Sequence, residues 1–532
     1  MTLREMHCTL RCVLPLVLLI AGCAAHPPVD EIKPERYFQE GVKARTQTKE
    51  TPPKLGLALA GGGTKAGDFS IGVLQGLTEA GVMERVDAIS TVSGGGYAAL
   101  WYFSRLLNKA ENPAEGARAL TQKQIAETYF PDCLPDLYES ILRFSVKTNP
   151  RYRYYGVCPP GNTNFSTRED FSADPVRYQN YLRGYQDVMG WIEPFDYRQT
   201  TGDHVINSIE ITGLALATIG ASVVQLVPNI VFDWEIPLSP SRSQYRAGIL
   251  NTFGATPPNC AEDSKACEDK ERKPGNEEWT RSQLTFSLLR EKYEEGYIPL
   301  WIINATAGED RVPWNWHQKD FSLTSFEFSP YGSGSHLFKY STQSAGDFLP
   351  WEAVMASASF LDSQQRVFNP KWNSVANVLM RGFALDWGTS IRNDRTSLWN
   401  NMFHKLLPWP FYLFHGRAGD SADDHANIRL SDGGQSENLG AYALIQRNLP
   451  NIILSDHSVD RGGLMGDLCR LKKGLGNDST GHDDSLYLFV PGLEGLNSVC
   501  SEEDLGYDIF NWEHPILLGC VTSNANDTNC SH

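Results

Sequence analysis

The chain has 532 residues, and 47 Lys and Arg against 63 Asp and Glu give it a formal net charge of −16. With 41% hydrophobic and 21% charged residues it reads as globular and not disordered. The acidic balance excludes a general nucleic-acid binder, which must meet phosphate with a basic surface.

The N-terminus carries the layout of an export signal. Residues 1–11 are polar and include Arg4 and Arg11, and residues 12–22 (CVLPLVLLIAG) form an apolar run too short to span a bilayer. The run ends in Ile20-Ala21-Gly22-Cys23, which resembles the lipobox of bacterial lipoproteins. That resemblance implies cleavage of a signal peptide at 1–22, diacylation of Cys23 and a lipid-anchored place in the bacterial cell envelope. Ala24 in place of Asp implies the outer membrane. An ordinary signal peptide with an incidental Cys is the alternative.

Of the 11 cysteines, Cys8 and Cys12 would leave with the signal and Cys23 would be lipidated. Cys133, Cys158, Cys260, Cys267, Cys469, Cys500, Cys520 and Cys530 would remain, an even set that suits disulfides in an exported protein. Neighbours in sequence (133–158, 260–267, 469–500, 520–530) are the simplest pairing. Metal binding is the rival, but no C-x-x-C or H-x-x-x-H spacing supports it. The groups at Asp420–His425 and His482–Asp484 read as solvated loop. Neither a metal nor a cofactor is expected.

Residues 23–53 are Pro-rich and charged and suit a tether. From Lys54 the pattern tightens. Leu55–Leu59 predicts a buried strand, followed by Gly61-Gly62-Gly63. Residues 66–80 predict a helix with Phe69, Val73 and Leu77 on one face and Gly81 as its stop. Gly72 and Gly76 within it would make sense if it packs very close to a sheet. Residues 86–92 predict a second strand, Ser93–Gly96 a sharp turn, and residues 97–107 a helix apolar on most sides. The β-α-β-α order points to an α/β fold with a mostly parallel central sheet covered by helices.

Residues 108–290 show no such rhythm and read as a large insertion. Within them residues 211–232 carry no charge. Buried core is the first expectation for that stretch, and a lid or membrane-surface segment the second. The rhythm returns with a strand at Ile298–Ile303, a helix at Trp351–Phe360, a strand at Ile428–Ser431, a helix near Leu439–Arg447 and a strand at Ile452–Leu454. The catalytic body would then span residues 54–460, with a Cys-bearing extension at 461–532.

Three motifs carry chemistry. Ser93 in TVSGG lies between a strand and a buried helix, where a tight turn lifts the hydroxyl above the sheet. The bland reading is a helix cap. Gly61, Gly62 and Gly63 can turn backbone N–H groups toward an oxyanion. The same run also fits the G-x-G-x-x-A dinucleotide fingerprint, although the second strand then holds its acid, Asp87, at its beginning and not at its end. Asp432-Gly433-Gly434 ends a later strand and offers a carboxylate, or an ordinary Asp-Gly turn.

Together GGGTKAG, TVSGGGY and SDGGQSENLG resemble the patatin-like lipid acyl hydrolases and the related cytosolic phospholipases A. The likeness covers residues 54–107 and continues at Pro299–Thr306, Ala353–Phe360 and Leu430–Ile453. It implies Ser93 as nucleophile, Asp432 as the base of a dyad, oxyanion donors at Gly61, Gly62 and Gly63, and a membrane-lipid ester as substrate. Lys65 stands where the family usually has Arg and would face a substrate phosphate. Thr91 stands where the elbow usually has Gly. His425 or His457 would be needed for a conventional triad. A catalytically weak binding lipoprotein and a nucleotide-binding enzyme are the other function classes.

Overall fold

The computed structural model describes residues 53–106, 284–308, 325–335, 339–341, 348–359, 387–392, 427–457, 465–476, 486–490 and 516–523, with eight helical positions between 212 and 224. The signal peptide, the tether and most of the 108–290 insertion lie outside the described residues.

Four parallel strands form the centre. They are β1 (Leu55–Leu59), β2 (Ala88–Val92), β3 (Leu300–Gly308) and β9 (Asn451–Ser455), in the order β9-β1-β2-β3. In β2 all five residues are buried, as an apolar run covered on both faces requires. Antiparallel strands then extend the sheet beyond β3: β4 (Ser325–Ser329), β5 (Gly332–Ser335) and β6 (Lys339–Ser341). Strands β7 (Thr389–Arg392) and β8 (Asn427–Ser431) form a further antiparallel pair, and β8 joins β3. The expected α/β sheet is present; β8 matches the strand predicted at Ile428–Ser431, and the antiparallel strands β4 to β7 have no predicted counterpart. A two-stranded sheet of β10 (Tyr487–Phe489) and β11 (Cys520–Thr522) stands apart from it.

Helix α1 (Gly63–Glu79) and helix α2 (Gly94–Leu106) connect the first strands and pack on each other. Helix α3 (Phe286–Glu294) is capped by Thr285, whose hydroxyl accepts from Leu288 N at 3.2 Å. Helix α4 (Pro350–Ser357) starts with Pro at its first position, and Glu352 accepts from Leu349 N at 2.9 Å. It lies against α2, β3 and β8. Helix α5 is only Tyr442–Ile445, shorter than the predicted 439–447. Helix α6 (Gly466–Gly476) carries Cys469, which is disulfide-bonded, as is Cys520 on β11.

The face of α1 that enters the core differs from the predicted one. Ala66, Ser70, Leu74 and Thr78, spaced by one turn, are buried, whereas Phe69 is 59% exposed. Small and polar side chains let α1 approach α2, and Thr78 satisfies its hydroxyl by donating to Leu74 O at 2.6 Å. Gly72 and Gly76 are exposed with nothing within 4 Å of a Cβ, so close packing is not their reason. The close approach occurs elsewhere, at Gly94 and Gly95 of α2, where a Cβ would overlap the carbonyl oxygens of Gly63 and Leu59. The uncharged 211–232 stretch is likewise not core at its described positions: Leu216, Val223 and Val224 are all exposed.

Candidate functional site

Ser93 is the single residue between β2 and α2. Its φ is +46°, a conformation that costs a non-glycine residue free energy and persists only when the surroundings enforce it. The enforcement is visible. Ser93 N–H donates to Ser357 Oγ at 2.7 Å, and that hydroxyl donates to Asn304 O at 2.5 Å. Asn304 Nδ2 in turn donates to Ser90 Oγ at 2.8 Å and to Thr91 O at 3.0 Å. Thr91 fits without crowding the turn: its hydroxyl accepts from Trp301 Nε1 at 3.1 Å and donates to Ile302 O at 3.3 Å. Ser93 itself is only 5% exposed.

Asp432 arrives by a different route from the one expected. Parallel strands end on one edge of a sheet, so a β8 parallel to β2 would bring Asp432 beside Ser93 from the same direction. Instead β8 runs antiparallel to β3. Val92 pairs with Asn304 and Ser431 pairs with Thr306. At Thr306 the far side of β3 is already taken by Ser325 of β4, so β8 occupies the side that β2 has just vacated. Strands β2 and β8 therefore meet end to end along one flank of β3, and Ser93 and Asp432 converge on the level of Ala305 from opposite directions. In keeping with this, a Cβ on Gly433 would sit 2.8 Å from Val92 Cγ1.

The Asp432 turn is tied down. Asp432 Oδ1 accepts from Gly434 N at 3.0 Å, in the manner of an N-cap on the 3-10 turn Gly433–Gln435. Thr306 Oγ1 donates to Asp432 O at 2.7 Å and accepts from Ser436 N at 3.0 Å. Next, Glu437 Oε1 accepts from Leu439 N at 2.6 Å and Oε2 from Tyr442 N at 3.2 Å. Burial pushes the Glu437 carboxyl up to about 7 against these donors.

The glycine loop closes the third side. A Cβ on Gly61 would sit 3.2 Å from Ser93 Cβ and overlap Asn438 Oδ1. A Cβ on Gly434 would lie 2.7 Å from the same Asn438 oxygen and 3.4 Å from Asp432 Oδ1. Asn438 thus stands between the loop and the Asp432 turn. Gly61 is corrected as an oxyanion donor, because its N–H is spent on Asn438 O at 2.8 Å. Gly62 and Gly63 have φ of +143° and +68° and lead directly into α1. Among the described residues no acceptor claims their amides. The N-termini of α1 and α2 meet here, adding unpaired N–H groups and positive dipole ends. Lys65 lies in the first turn of α1, but its side chain falls outside the described residues, as do Cys23 and His425 entirely.

His457 braces the loop and is not aimed at an acid. Its Nδ1 lies 3.1 Å from Ala60 O and 3.1 Å from Ser70 Oγ, and Nε2 lies 2.7 Å from Ser455 Oγ. A carbonyl can only accept, so Nδ1 carries the proton and Nε2 accepts from Ser455. Burial holds the ring below the ordinary histidine range, hence neutral. Asp87, the acid a dinucleotide site would need, accepts from Lys54 N at 2.6 Å and Leu55 N at 3.1 Å, where β1 and β2 begin. The glycine loop is at the opposite end of these strands. Among the described residues no cluster of three or more His, Cys, Asp or Glu could hold a metal ion.

Sequence reasoning missed Asn304, Thr306, Ser357, Asn438 and Glu437 as parts of this site. Asn438 and Glu437 lie within the quoted SDGGQSENLG run, and that proximity was the available signal. The others act across long sequence separations that a single sequence does not expose.

A family described as patatin-like phospholipase matches residues 57–151, which contain the glycine loop and Ser93. The part of the chain that holds the glycine loop and Ser93 is thus similar to the patatin-like phospholipases. Among solved structures, human GIVD cytosolic phospholipase A2 is similar at 12% identity, covering 86% of this chain and 54% of that one, with a TM-score of 0.37. VipD from Legionella pneumophila is similar at 15% identity, covering 58% and 43%, with a TM-score of 0.19. The chain thus spans about half the length of the solved structures it matches. No curated protein matches it.

Proposed function

We propose that this chain hydrolyses carboxylic esters of membrane lipids, in the manner of a phospholipase A or lysophospholipase, through a Ser93–Asp432 dyad. The observation that carries the reading is the end-to-end meeting of β2 and β8 on β3, which directs a strained serine and a carboxylate to one level of the sheet. In the first half-reaction Ser93 Oγ attacks the ester carbonyl carbon and its proton passes to Asp432. The amides of Gly62, Gly63 and Gly94 hold the oxyanion. Collapse breaks the ester C–O bond, the alcohol leaves with the proton from Asp432, and an acyl-serine remains. Water then attacks that acyl group, Asp432 takes its proton, and the fatty acid is released as the proton returns to Ser93.

An aspartate with a reference pKa of about 3.9 is a weak base for a hydroxyl. Its turn is ordered by Thr306 and Gly434 before substrate arrives, and closing the site with an apolar acyl chain removes the water that would otherwise solvate it. Lys65 is assigned to the substrate phosphate. The same reading places the mature chain at the bacterial outer membrane, anchored through Cys23, with disulfides formed after export.

The test is turnover of short-chain and phospholipid esters by the full chain and by Ser93→Ala and Asp432→Asn. Both substitutions are expected to lower the rate by about 10³-fold or more, and Ser93→Ala to abolish fluorophosphonate labelling. Equal rates for wild type and Ser93→Ala would sink the dyad. Loss of palmitate incorporation in Cys23→Ser checks the anchor separately.

A further inference from the structure

Helix α6 belongs to the C-terminal extension, yet it reaches back to the site at two points. Asp467 Oδ2 accepts from Asn438 Nδ2 at 2.6 Å. One turn on, Arg470 Nη1 donates to Gly434 O at 2.6 Å and lies 3.8 Å from Asp467 Oδ1.

Each contact decides something local. An Asn amide can present either its oxygen or its NH₂ to a neighbour. Carboxylate Oδ2 of Asp467 only accepts, so it claims the NH₂ and leaves Asn438 Oδ1 facing Gly61 and Gly434. The backbone oxygen of the same Asn438 meanwhile holds Gly61 N–H. Arg470 secures the carbonyl of Gly434, the residue whose own N–H orients Asp432 Oδ1. Both charged side chains are partly open to solvent, at 15% for Asp467 and 31% for Arg470, so neither is filling the core.

The geometry points to Asp467 and Arg470 as positioning residues for ester hydrolysis, through which α6 fixes the glycine loop relative to Asp432. The inference rests on the hydrolase reading above. It assigns the extension a role in the chemistry without contact to substrate: Asp467 acts through Asn438, and Arg470 acts through Gly434. Misplacement of reacting groups by about 1 Å can cost about 10²-fold in rate. A loosened α6 should therefore appear in kcat and not in substrate binding.

The experiment measures a soluble short-chain p-nitrophenyl ester with the full-length chain and with Asp467→Ala, Asp467→Asn, Arg470→Met and Arg470→Lys. Rates are divided by the serine titrated to end point with a fluorophosphonate, so protein that fails to fold does not enter. Asp467→Ala and Arg470→Met are expected to lower kcat by about 10-fold or more, with KM within about twofold. Asn keeps an acceptor for Asn438 and Lys keeps a donor for Gly434, so those variants should recover most of the loss. A kcat within about twofold of wild type in both Asp467→Ala and Arg470→Met overturns the inference. So does a loss that the conservative variants do not relieve. If the wild-type chain neither turns over ester nor takes the probe, the hydrolase reading itself fails. Wild-type turnover with indifferent variants removes only the role of α6.

Discussion

A Cβ on Gly94 would overlap Gly63 O and come within 2.9 Å of Ala66 Cβ, so the N-terminus of α2 can approach the glycine loop only without a side chain. Gly94→Ala is expected to destabilise by about 1–3 kcal/mol and, on the proposed mechanism, to remove most ester turnover, because the glycine loop and Ser93 would move apart. Gly72 and Gly76 stand in open space on the same pair of helices. Gly72→Ala or Gly76→Ala should stabilise by about 0.5–1 kcal/mol each and leave turnover unchanged, as urea melts and initial rates would show. Glu437 gives a pH dependence. Its carboxyl lies at 4.5 when unperturbed and at about 7 in the folded chain, so between these values the native state binds more protons. Its contribution is therefore fully present below about pH 4.5 and lost as the pH rises toward 7. Glu437→Gln should remove up to about 3 kcal/mol of that decline, read as the difference between the two proteins' urea stability at pH 4.5 and 7.5. An identical pH slope in both proteins would refute the assignment.

At the scale of elements, β3 is the beam on which the site is built. Asn304 steadies the strand before Ser93 through Ser90 and Thr91, and it receives Ser357, which holds Ser93 N–H. Two residues later Thr306 holds the Asp432 turn. Thr306→Val keeps the shape but removes that hydroxyl, leaving Asp432 O and Ser436 N short of a partner. About 1–3 kcal/mol of stability should be lost, and kcat should fall more than KM rises. An unchanged kcat would mean that the turn holds itself. The parallel strands β1, β2 and β3 were legible because burial on both faces writes an apolar run into the sequence, and β9, half-buried at the edge of the sheet, still shows the run Ile452-Ile453-Leu454. Strands β4, β5 and β7 read SFEFS, GSGS and TSIR and carry no such run. The direction of β8 was also hidden, since five residues do not record which way a strand enters a sheet. The tight turns at Ser93 and Asp432 were legible from their glycine neighbours, whereas the contacts of Asn304, Asp467 and Arg470 depend on pairings that only the fold creates. Gly61 was misjudged because its N–H is spent on a partner 377 positions away in sequence, a contact between Gly61 and Asn438 that no local pattern encodes.

If the proposed lipid hydrolysis holds, the molecule as a whole must bring an acidic body to a lipid surface. A net charge of −16 is repelled by anionic headgroups over the Debye length, about 8–10 Å at physiological salt. Among the described residues no helix is long and apolar enough to cross a membrane. On the proposed reading, the uncharged stretch 211–232 suits contact with a lipid surface, because its Leu216, Val223 and Val224 are helical and exposed. Each such side chain buried in an acyl layer is worth about 1.5–3 kcal/mol. Replacing all three by Asp adds charge to that loss. The triple variant is expected to lose on the order of 10-fold or more in hydrolysis of zwitterionic phospholipid vesicles, with its rate on a soluble short-chain ester unchanged. Wild-type activity should be lower on anionic than on zwitterionic vesicles at low salt, and the gap should narrow as salt rises. A triple variant that hydrolyses vesicles at the wild-type rate would show that the surface is met elsewhere. If it lost the soluble ester activity as well, the segment would be part of the catalytic body and not its means of approach.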